Sequence, residues 1–261
     1  MKKLLLLGVA FSVMVCGAVR AADLPAPMKA PAVAPIAGYD WSGIYIGAHL
    51  GGGWTTNDIS DPSLGFLGII LGVPPLQTAR STGFLGGGEA GWNYQIGRFV
   101  VGTEYDASWT DLKANNTATF ATLGGFGGGT INRALGANTD WTATSTVRLG
   151  LAQGPWLFYS KAGAALAHTS YTDTWTSAGA LVFSGSASQT KVGWTVGTGL
   201  EWGFMTNWSA KLEYDYIDMG SKTVPLSGTV NGVGLAAFSL VNSQAINLVK
   251  VGVNYRLMPL P

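Results

Sequence analysis

The sequence predicts an all-β fold: a closed, antiparallel, up-and-down barrel of eight strands that crosses a membrane, with ten strands as the alternative. Segments of the chain alternate apolar and polar residues with a period of two, which is typical of strands with one apolar face. Long and short connections alternate between these segments, as in barrels that span a membrane. Tryptophan, of which the chain has ten, recurs at the ends of the segments. Together these patterns favour a barrel whose apolar face points outward into lipid.

The amino-terminal segment is predicted to be a secretory signal peptide. Two lysines precede an apolar run at 4–17, and the cleavage site follows Ala21. The only cysteine, Cys16, lies in this segment, which excludes disulfides, zinc thiolates and cysteine nucleophiles from the mature chain. Prolines among alanines at 22–38 predict a flexible periplasmic lead-in. The predicted organisation is a signal peptide at 1–21, a lead-in at 22–38, the barrel at 39–257 and a short C-terminal tail at 258–261.

The composition leaves few alternatives to a barrel. Only 11% of the residues are charged, whereas 47% are hydrophobic. After the signal peptide, no apolar run reaches the ~18 residues that a transmembrane helix needs. A closed barrel is the only sheet that satisfies its own backbone hydrogen bonds in a bilayer. The net charge of +1, with both signs present, gives no indication of nucleic-acid binding.

The first four predicted strands cover residues 44–51, 84–94, 99–109 and 141–151. In each strand every second residue is mostly apolar or aromatic and none of these is charged; Ile44, Ile46 and Leu50 set the register of the first strand. A tight turn at 96–98 joins the second and third strands. The connections at 55–82 and 112–139 are long, and the second of them is rich in Gly, Asn and Thr.

The last four predicted strands cover residues 156–166, 192–202, 208–216 and 244–257. Short turns at 153–155 and 203–207 alternate with long connections at 169–190 and 218–243. Segments 224–230 and 234–240 could form an additional hairpin and give ten strands, but a loop that extends the seventh and eighth strands needs fewer assumptions. An even strand count places both chain ends on one side of the membrane, which we predict to be the periplasm.

The inward register carries the charges. Across the predicted strands the apolar register lacks Asp, Glu, Lys and Arg, which is the reverse of a soluble ligand-binding barrel. The candidate lumen residues are Glu89, Glu104, Asp106, Arg148, Lys161, Glu201, Lys211, Glu213, Asp215, Lys250 and Arg256, with Lys191 as a further inward base. An eight-stranded barrel is just wide enough for side chains to fill it, and charges there must pair. We therefore expect a network centred on Arg148, with Glu89, Glu104 or Glu213 as its partners, that plugs the lumen.

The tryptophans predict two aromatic belts, because indole rings favour the boundary between headgroups and hydrocarbon. With the amino terminus in the periplasm, Trp92, Trp156, Trp202 and Trp208 fall at the lower boundary, and Trp109, Trp141 and Trp194 fall at the upper one. A soluble core has no physical reason to produce such rows.

The closing strand carries a pattern similar to the C-terminal assembly signal of bacterial outer-membrane barrels. Lys250, Gly252, Tyr255 and Leu257 supply its polar, glycine, aromatic and hydrophobic positions, although the last position is usually Phe. Further matching motifs are AADLP at 21–25, WSGIYIG at 41–47, TVRLG at 146–150, VGWTVG at 192–197 and NWSAKLEY at 207–214. The chain resembles the small outer-membrane β-barrels of alphaproteobacteria, called outer-membrane immunogenic or porin-family proteins, which share the barrel class of the outer-membrane protein A family.

This resemblance implies an outer-membrane location, contact with membrane lipid and lipopolysaccharide, delivery by the barrel-assembly machinery, and no reaction. The first functional hypothesis is a structural barrel with a plugged lumen that contributes to envelope integrity and surface presentation. A narrow porin for small solutes or ions is the second hypothesis. An adhesin or receptor that binds a host or surface ligand through its loops is the third. The oligomeric state stays open.

Catalysis has one candidate motif. His168 and Ser170 share a strand face and resemble the His-x-Ser spacing of outer-membrane lipid A deacylases. Those enzymes orient the histidine with an acid on the next strand, and this chain has no Asp or Glu between Asp173 and Glu201. We therefore expect no catalytic residue, no cofactor and no metal.

Overall fold

The computed structural model describes residues 39–60, 76–121, 130–177, 180–230 and 233–258, which form a closed ring of eight antiparallel strands. The strands are β1 (Gly43–Ser60), β2 (Leu76–Ile96), β3 (Phe99–Ala121), β4 (Thr130–Gln153), β5 (Trp156–Ser177), β6 (Ala180–Met205), β7 (Trp208–Val230) and β8 (Val233–Met258). Because β1 pairs with both β2 and β8, the ring closes. The predicted fold is confirmed. The signal peptide, the lead-in, the first loop and most of the tail lie outside the described residues.

The two ends of the barrel differ. Short turns at 97–98, 154–155 and 206–207 lie at the end where β1 begins and β8 ends. We call this the turn end and the opposite end the loop end. Segments 224–230 and 234–240 belong to β7 and β8, where Val224 pairs with Leu240 and Val230 with Val233. The described strands therefore number eight and not ten.

The strands are much longer at the loop end than the sequence predicted. Most of the predicted connection at 112–139, for example, is strand, with Ala114 opposite Ala137. In this part of the barrel many inward side chains are apolar, such as Leu135 and Tyr171, although the ion pair of Arg133 with Asp173 is also buried there. The outward side chains are largely polar, such as Asn115 and Thr172. Outward apolar residues indicate only the strand segments that face lipid, so the segments with a polar exterior were not predicted as strand.

The exterior carries an apolar band at the level of the turn-end half of the strands. Its side chains include Phe84, Leu149 and Val251, and Trp109 is 74% exposed. Aromatic residues border the band on both sides, for example Trp194 and Trp202 on β6, and their spacing matches the roughly 9–11 residues that a tilted strand needs to cross a bilayer. Among the described residues, the exposed charged side chains all lie outside this band. The same residues contain no helix of sufficient length and hydrophobicity to span a membrane.

The interior is filled in successive layers along the barrel axis. The turn-end apolar layer consists of Trp41, Val100, Ala152, Leu157 and Tyr159. A charged layer follows, and beyond it lies the middle apolar layer of Leu85, Leu112, Ala165, Ala167, Ile217, Met219, Ile246 and Leu248. A polar layer that includes Thr139, Thr169, Asn242 and Gln244 separates this from the loop-end apolar layer of Ile59, Ala79, Ala114, Leu135, Ala137, Tyr171, Val224 and Leu240. The inward register thus changes character several times along each strand.

Candidate functional site

The charged layer is built around two glutamates that share one lysine. Lys161 Nζ of β5 lies 2.8 Å from Glu104 Oε1 of β3 and 2.7 Å from Glu213 Oε1 of β7. Lys211 Nζ lies 3.3 Å from Glu213 Oε2 and also contacts Glu89. These side chains are fully buried. Alternation on strands that face each other across the lumen is what brings opposite charges together here.

Arg148 forms a second centre that is closer to the turn end. Its guanidinium contacts Glu201, lies 3.5 Å from Glu104 Oε2, and donates to the Tyr45 hydroxyl at 3.1 Å. It also stacks on the ring of Tyr159, with 3.6 Å between Cζ and the ring centroid. The expected partners were Glu89, Glu104 or Glu213.

Of those three acids, Glu104 is a partner of Arg148, whereas Glu89 and Glu213 are contacted by lysines. The difference arises from side-chain reach, because the long Arg148 side chain extends toward the turn end, where Glu201 lies. Glu201 is therefore the partner that the sequence analysis did not name.

Lys250 completes the layer toward the loop end. Its Nζ lies 3.1 Å from Asp106 Oδ1 and 2.9 Å from Asp215 Oδ2. The structure thus brings the candidate lumen residues together, except Arg256 and the further inward base Lys191. That guanidinium lies at the turn end, donates to the Thr206 carbonyl at 2.6 Å, and lies over the ring of Tyr39.

A buried histidine joins the layer, although the sequence analysis did not select it. His49 Nδ1 lies 3.4 Å from Glu89 Oε2 and its Nε2 lies 3.3 Å from Asp106 Oδ2. Such a set of side chains has the ligand types that bind transition metals. However, the ammonium groups of Lys211 and Lys250 already contact the same two carboxylates and would repel a cation. These residues fit the charge network better than a metal centre. The sequence signal for His49 was its position in the inward register of the first strand, next to the outward Leu50.

The predicted assembly residues lie on β8. Lys250 is in the charged layer, Tyr255 packs on Trp208 with 4.8 Å between ring centroids, and Leu257 is exposed at the turn end. Gly252 faces the lumen, where an added Cβ would lie 2.9 Å from the Ala48 carbonyl oxygen. A larger residue at this position would therefore collide with β1.

The predicted belt tryptophans form two exterior rows. At the turn end Trp156 stacks on Trp202, and Trp92 on Tyr94. At the other border Trp141 stacks on His168 and Trp194 packs on Tyr216. Trp208 is exposed in the row at the turn end, and Trp109 is exposed in the row at the other border. Trp54, which the prediction omitted, is also exposed and packs near Tyr214.

The candidate catalytic pair is arranged differently from a base and a nucleophile. His168 Nδ1 lies 3.0 Å from Thr190 Oγ1, and Ser170 Oγ donates to Asp140 Oδ2 at 2.8 Å. Asp140 lies in an irregularity of the β4–β5 register, between Thr139 and Trp141. The resemblance implied an acid on the strand after His168, whereas Asp140 lies on the preceding strand, β4. The contacts of the described residues do not include the His–Ser hydrogen bond that activation of the serine requires.

Comparisons with known proteins agree with this architecture. The 31 kDa outer-membrane immunogenic protein of Brucella melitensis is 28% identical over 239 residues, covering 87% of this chain and 88% of the relative. A 22 kDa outer membrane protein of Rhizobium leguminosarum is 27% identical over 185 residues, or 71% of this chain and 69% of the relative. The predicted resemblance to alphaproteobacterial outer-membrane proteins is confirmed.

A solved structure has a similar fold. The outer membrane protease OmpT from Escherichia coli superposes with a TM-score of 0.51 over 82% of this chain and 97% of that chain. Its sequence identity of 8% limits the likeness to the fold. The model of a family described as outer membrane protein beta-barrel domain matches residues 25–256. With its apolar exterior, its aromatic borders and this match, the chain belongs to the outer membrane protein beta-barrel domain family.

Proposed function

We propose that this protein is a structural outer-membrane barrel with a closed lumen, which contributes to envelope integrity and presents its loop end on the cell surface. Both chain ends are then periplasmic. This orientation is supported by the position of Gly43 and Met258 at the turn end, because barrels of this kind keep short turns on the periplasmic side.

The observation that carries the proposal is the filling of the lumen by layers of different chemistry. In the charged layer the acidic side chains lie against cationic ones, so no row of free charges lines a path for ions. In the middle apolar layer Leu112, Ile217 and Leu248 are each 0% exposed. An apolar constriction without water opposes the passage of hydrated ions. An ion would have to pass both barriers.

Because two layers close the lumen, the conductance experiment combines substitutions in both of them. We expect the wild type, refolded into a planar bilayer, to be silent. Arg148→Ala leaves the middle apolar layer intact and is also expected to be silent. Arg148→Ala combined with Leu112→Ala and Leu248→Ala removes parts of both barriers and is expected to give small current steps.

The matched control replaces Leu248→Ala in the triple variant by Val251→Ala. Val251 is on the same strand but is exposed on the apolar exterior, so this variant should conduct less than the first one. Steady ion-sized steps from the wild type would contradict the closed lumen and favour the narrow pore. Resistance to unfolding on detergent gels reports whether each variant has folded.

The contribution to the envelope has its own test. Deletion of the gene is expected to make cells more sensitive to detergent, and a silent Arg148→Ala barrel that folds should restore resistance. Restoration only by conducting variants would indicate that transport is the function.

A further inference from the structure

The wall of the barrel has an interruption between β6 and β7. Pairing runs from Phe183 with Val230 to Ser186 with Ser227, and it resumes only at Trp194 with Asp218. No backbone pairing joins the intervening residues 187–193 of β6 and 219–226 of β7. We call this stretch the β6–β7 seam.

Both sides of the seam remain attached to their other neighbours. On the β6 side, residues 187–193 keep their register with β5. On the β7 side, an irregularity between Asp218 and Ser221 accommodates Gly220, which has a φ of 59°, and pairing with β8 continues from Ser221. The seam is therefore a stretch without backbone pairing between two ordered strands.

A buried lysine lies behind the seam. Lys191 is 1% exposed, and its Nζ lies 3.5 Å from the Asn242 carbonyl oxygen and 5.5 Å from the centroid of the Tyr171 ring. The other buried lumen lysines, Lys161 and Lys250 among them, contact two or more carboxylates each. Within the described part of the chain, Lys191 has no carboxylate within ion-pair distance. A buried cation without a counter-ion is costly, so this position favours an anion.

The nearby charges and donors are suited to an anion. Lys222, the other charged group that acts on Lys191, is a second cation and is exposed on the β7 side of the seam. Burial, reinforced by this neighbour, lowers the pKa of Lys191 to about 8. Because the N–H groups of an antiparallel strand alternate between its two edges, part of those in 187–193 point into the seam.

The β2–β3 wall provides a useful contrast. Pairing between those strands also ends, beyond Leu85 with Thr110, but it does not resume. The inward residues behind that gap, Ala79 and Ala114, belong to the loop-end apolar layer. Only the β6–β7 seam, among the described walls, combines an internal break with a buried cation.

The height of the seam identifies the source of the anion. Trp194 and Tyr216 pack together, with 5.6 Å between ring centroids, at the border of the apolar band. The seam begins one residue beyond Trp194. Aromatic belts mark the level of lipid headgroups, so the seam lies at the level of the outer-leaflet phosphates in the proposed orientation.

We propose that the β6–β7 seam binds a phosphate monoester, with Lys191 on its inner side, Lys222 on its outer side and backbone N–H groups of 187–193 between them, and that an outer-leaflet lipid headgroup supplies the phosphate. The proposal rests on the orientation in the proposed function. Phosphate fits because it is compact, carries up to two negative charges and accepts several hydrogen bonds.

The test uses the refolded mature chain in neutral detergent micelles, with native mass spectrometry to count bound lipid. The probes are diphosphorylated lipid A and the same lipid without phosphates. We expect the wild type to prefer the phosphorylated form, Lys191→Gln to weaken its binding at least tenfold, and Lys222→Gln to weaken it severalfold. The matched control is Lys113→Gln, because Lys113 is an exposed lysine beyond the upper belt that pairs with Asp111; it should change little.

Three outcomes would overturn the inference. Equal binding of the two lipid A forms would exclude a phosphate site. Equal losses in all three lysine variants would indicate non-specific attraction. Full competition by inorganic phosphate, without any preference for the lipid-borne group, would assign the site to free phosphate. A single cysteine introduced as Ser184→Cys and labelled on intact cells tests the orientation separately, so the proposed function can fail independently of the site.

Discussion

Two parts of the same lumen follow opposite rules. At the level of the apolar band, the inward side chains include Glu104, Lys161 and Glu213 and their partners. Beyond the band, the inward side chains of the strands include apolar ones such as Leu135 and Tyr171. The environment outside the wall explains the difference. Where lipid surrounds the barrel, polar residues have only the interior available, and where water surrounds it, the interior can be an ordinary apolar core.

The two parts should also differ in how they fail. A buried ion network depends on all its members, because removal of one partner leaves another charge buried without compensation. An apolar layer loses the transfer free energy of the deleted atoms and the cost of the cavity that remains. Substitutions in the two parts can therefore test the comparison directly.

The largest effect is expected for Glu213→Ala. This carboxylate contacts Lys161 and Lys211, and it accepts from the Tyr159 hydroxyl at 2.7 Å. Its loss leaves buried ammonium groups with fewer partners and should reduce the free energy of unfolding by about 3–5 kcal/mol, measured by urea titration in lipid vesicles. Asp111→Ala, which breaks an exposed pair with Lys113, is the control and should cost less than about 1 kcal/mol. Similar losses of unfolding free energy in both variants would contradict the claim that the charged layer depends on each of its members.

Leu248→Ala should have a somewhat smaller effect. Leu248 is fully buried in the middle apolar layer, and a leucine-to-alanine change at such a site costs about 2–5 kcal/mol. The same titration measures it. Leu212→Ala removes the same atoms from the exterior, where the side chain is 53% exposed, and should cost less. A larger loss for Leu212→Ala would mean that the lumen is loosely packed.

The smallest effect concerns pH at the β6–β7 seam. Since the pKa of Lys191 lies at about 8, below its usual value, the ammonium form decreases as pH rises through that value. A phosphate monoester is already doubly charged there, so its own titration does not interfere. Tyr171 faces Lys191, and burial raises the pKa of its hydroxyl, which keeps it neutral. Binding of phosphorylated lipid A should weaken roughly tenfold from pH 7 to pH 9. A flat profile in the wild type, or the same pH dependence in Lys191→Gln, would remove Lys191 from the site.

The sequence was sufficient for features that the exterior environment dictates. The alternation of Val249, Val251 and Val253 with charged or small residues predicted both the strand and its lipid-facing side. It was not sufficient for partners across the lumen. Whether Arg148 meets Glu201 or Glu213 depends on barrel tilt and on side-chain reach, which the period of a single strand does not contain.

The strand segments in the loop-end half were not predicted for a different reason. Its alternation is inverted, with small inward residues such as Ala114 and Ala137 and outward hydroxyls and amides. Lys191 was correctly assigned to the inward face, but its separation from the other charges depends on its height along β6. The register shift at Asp140 could not be predicted, because no glycine or proline occurs between Thr139 and Trp141 to indicate it.

The length of the strands has a consequence for the cell surface in the proposed orientation. β4 continues from Trp141 back to Thr130 beyond the band, which at about 3.3 Å per residue and a tilt of about 45° raises its tip by roughly 25 Å. The barrel wall then extends beyond the membrane around an interior that includes the loop-end apolar layer. Residues at its rim stand clear of the lipid headgroups, so they can vary, and be seen by antibodies or other molecules, without disturbing the part that folds within the membrane.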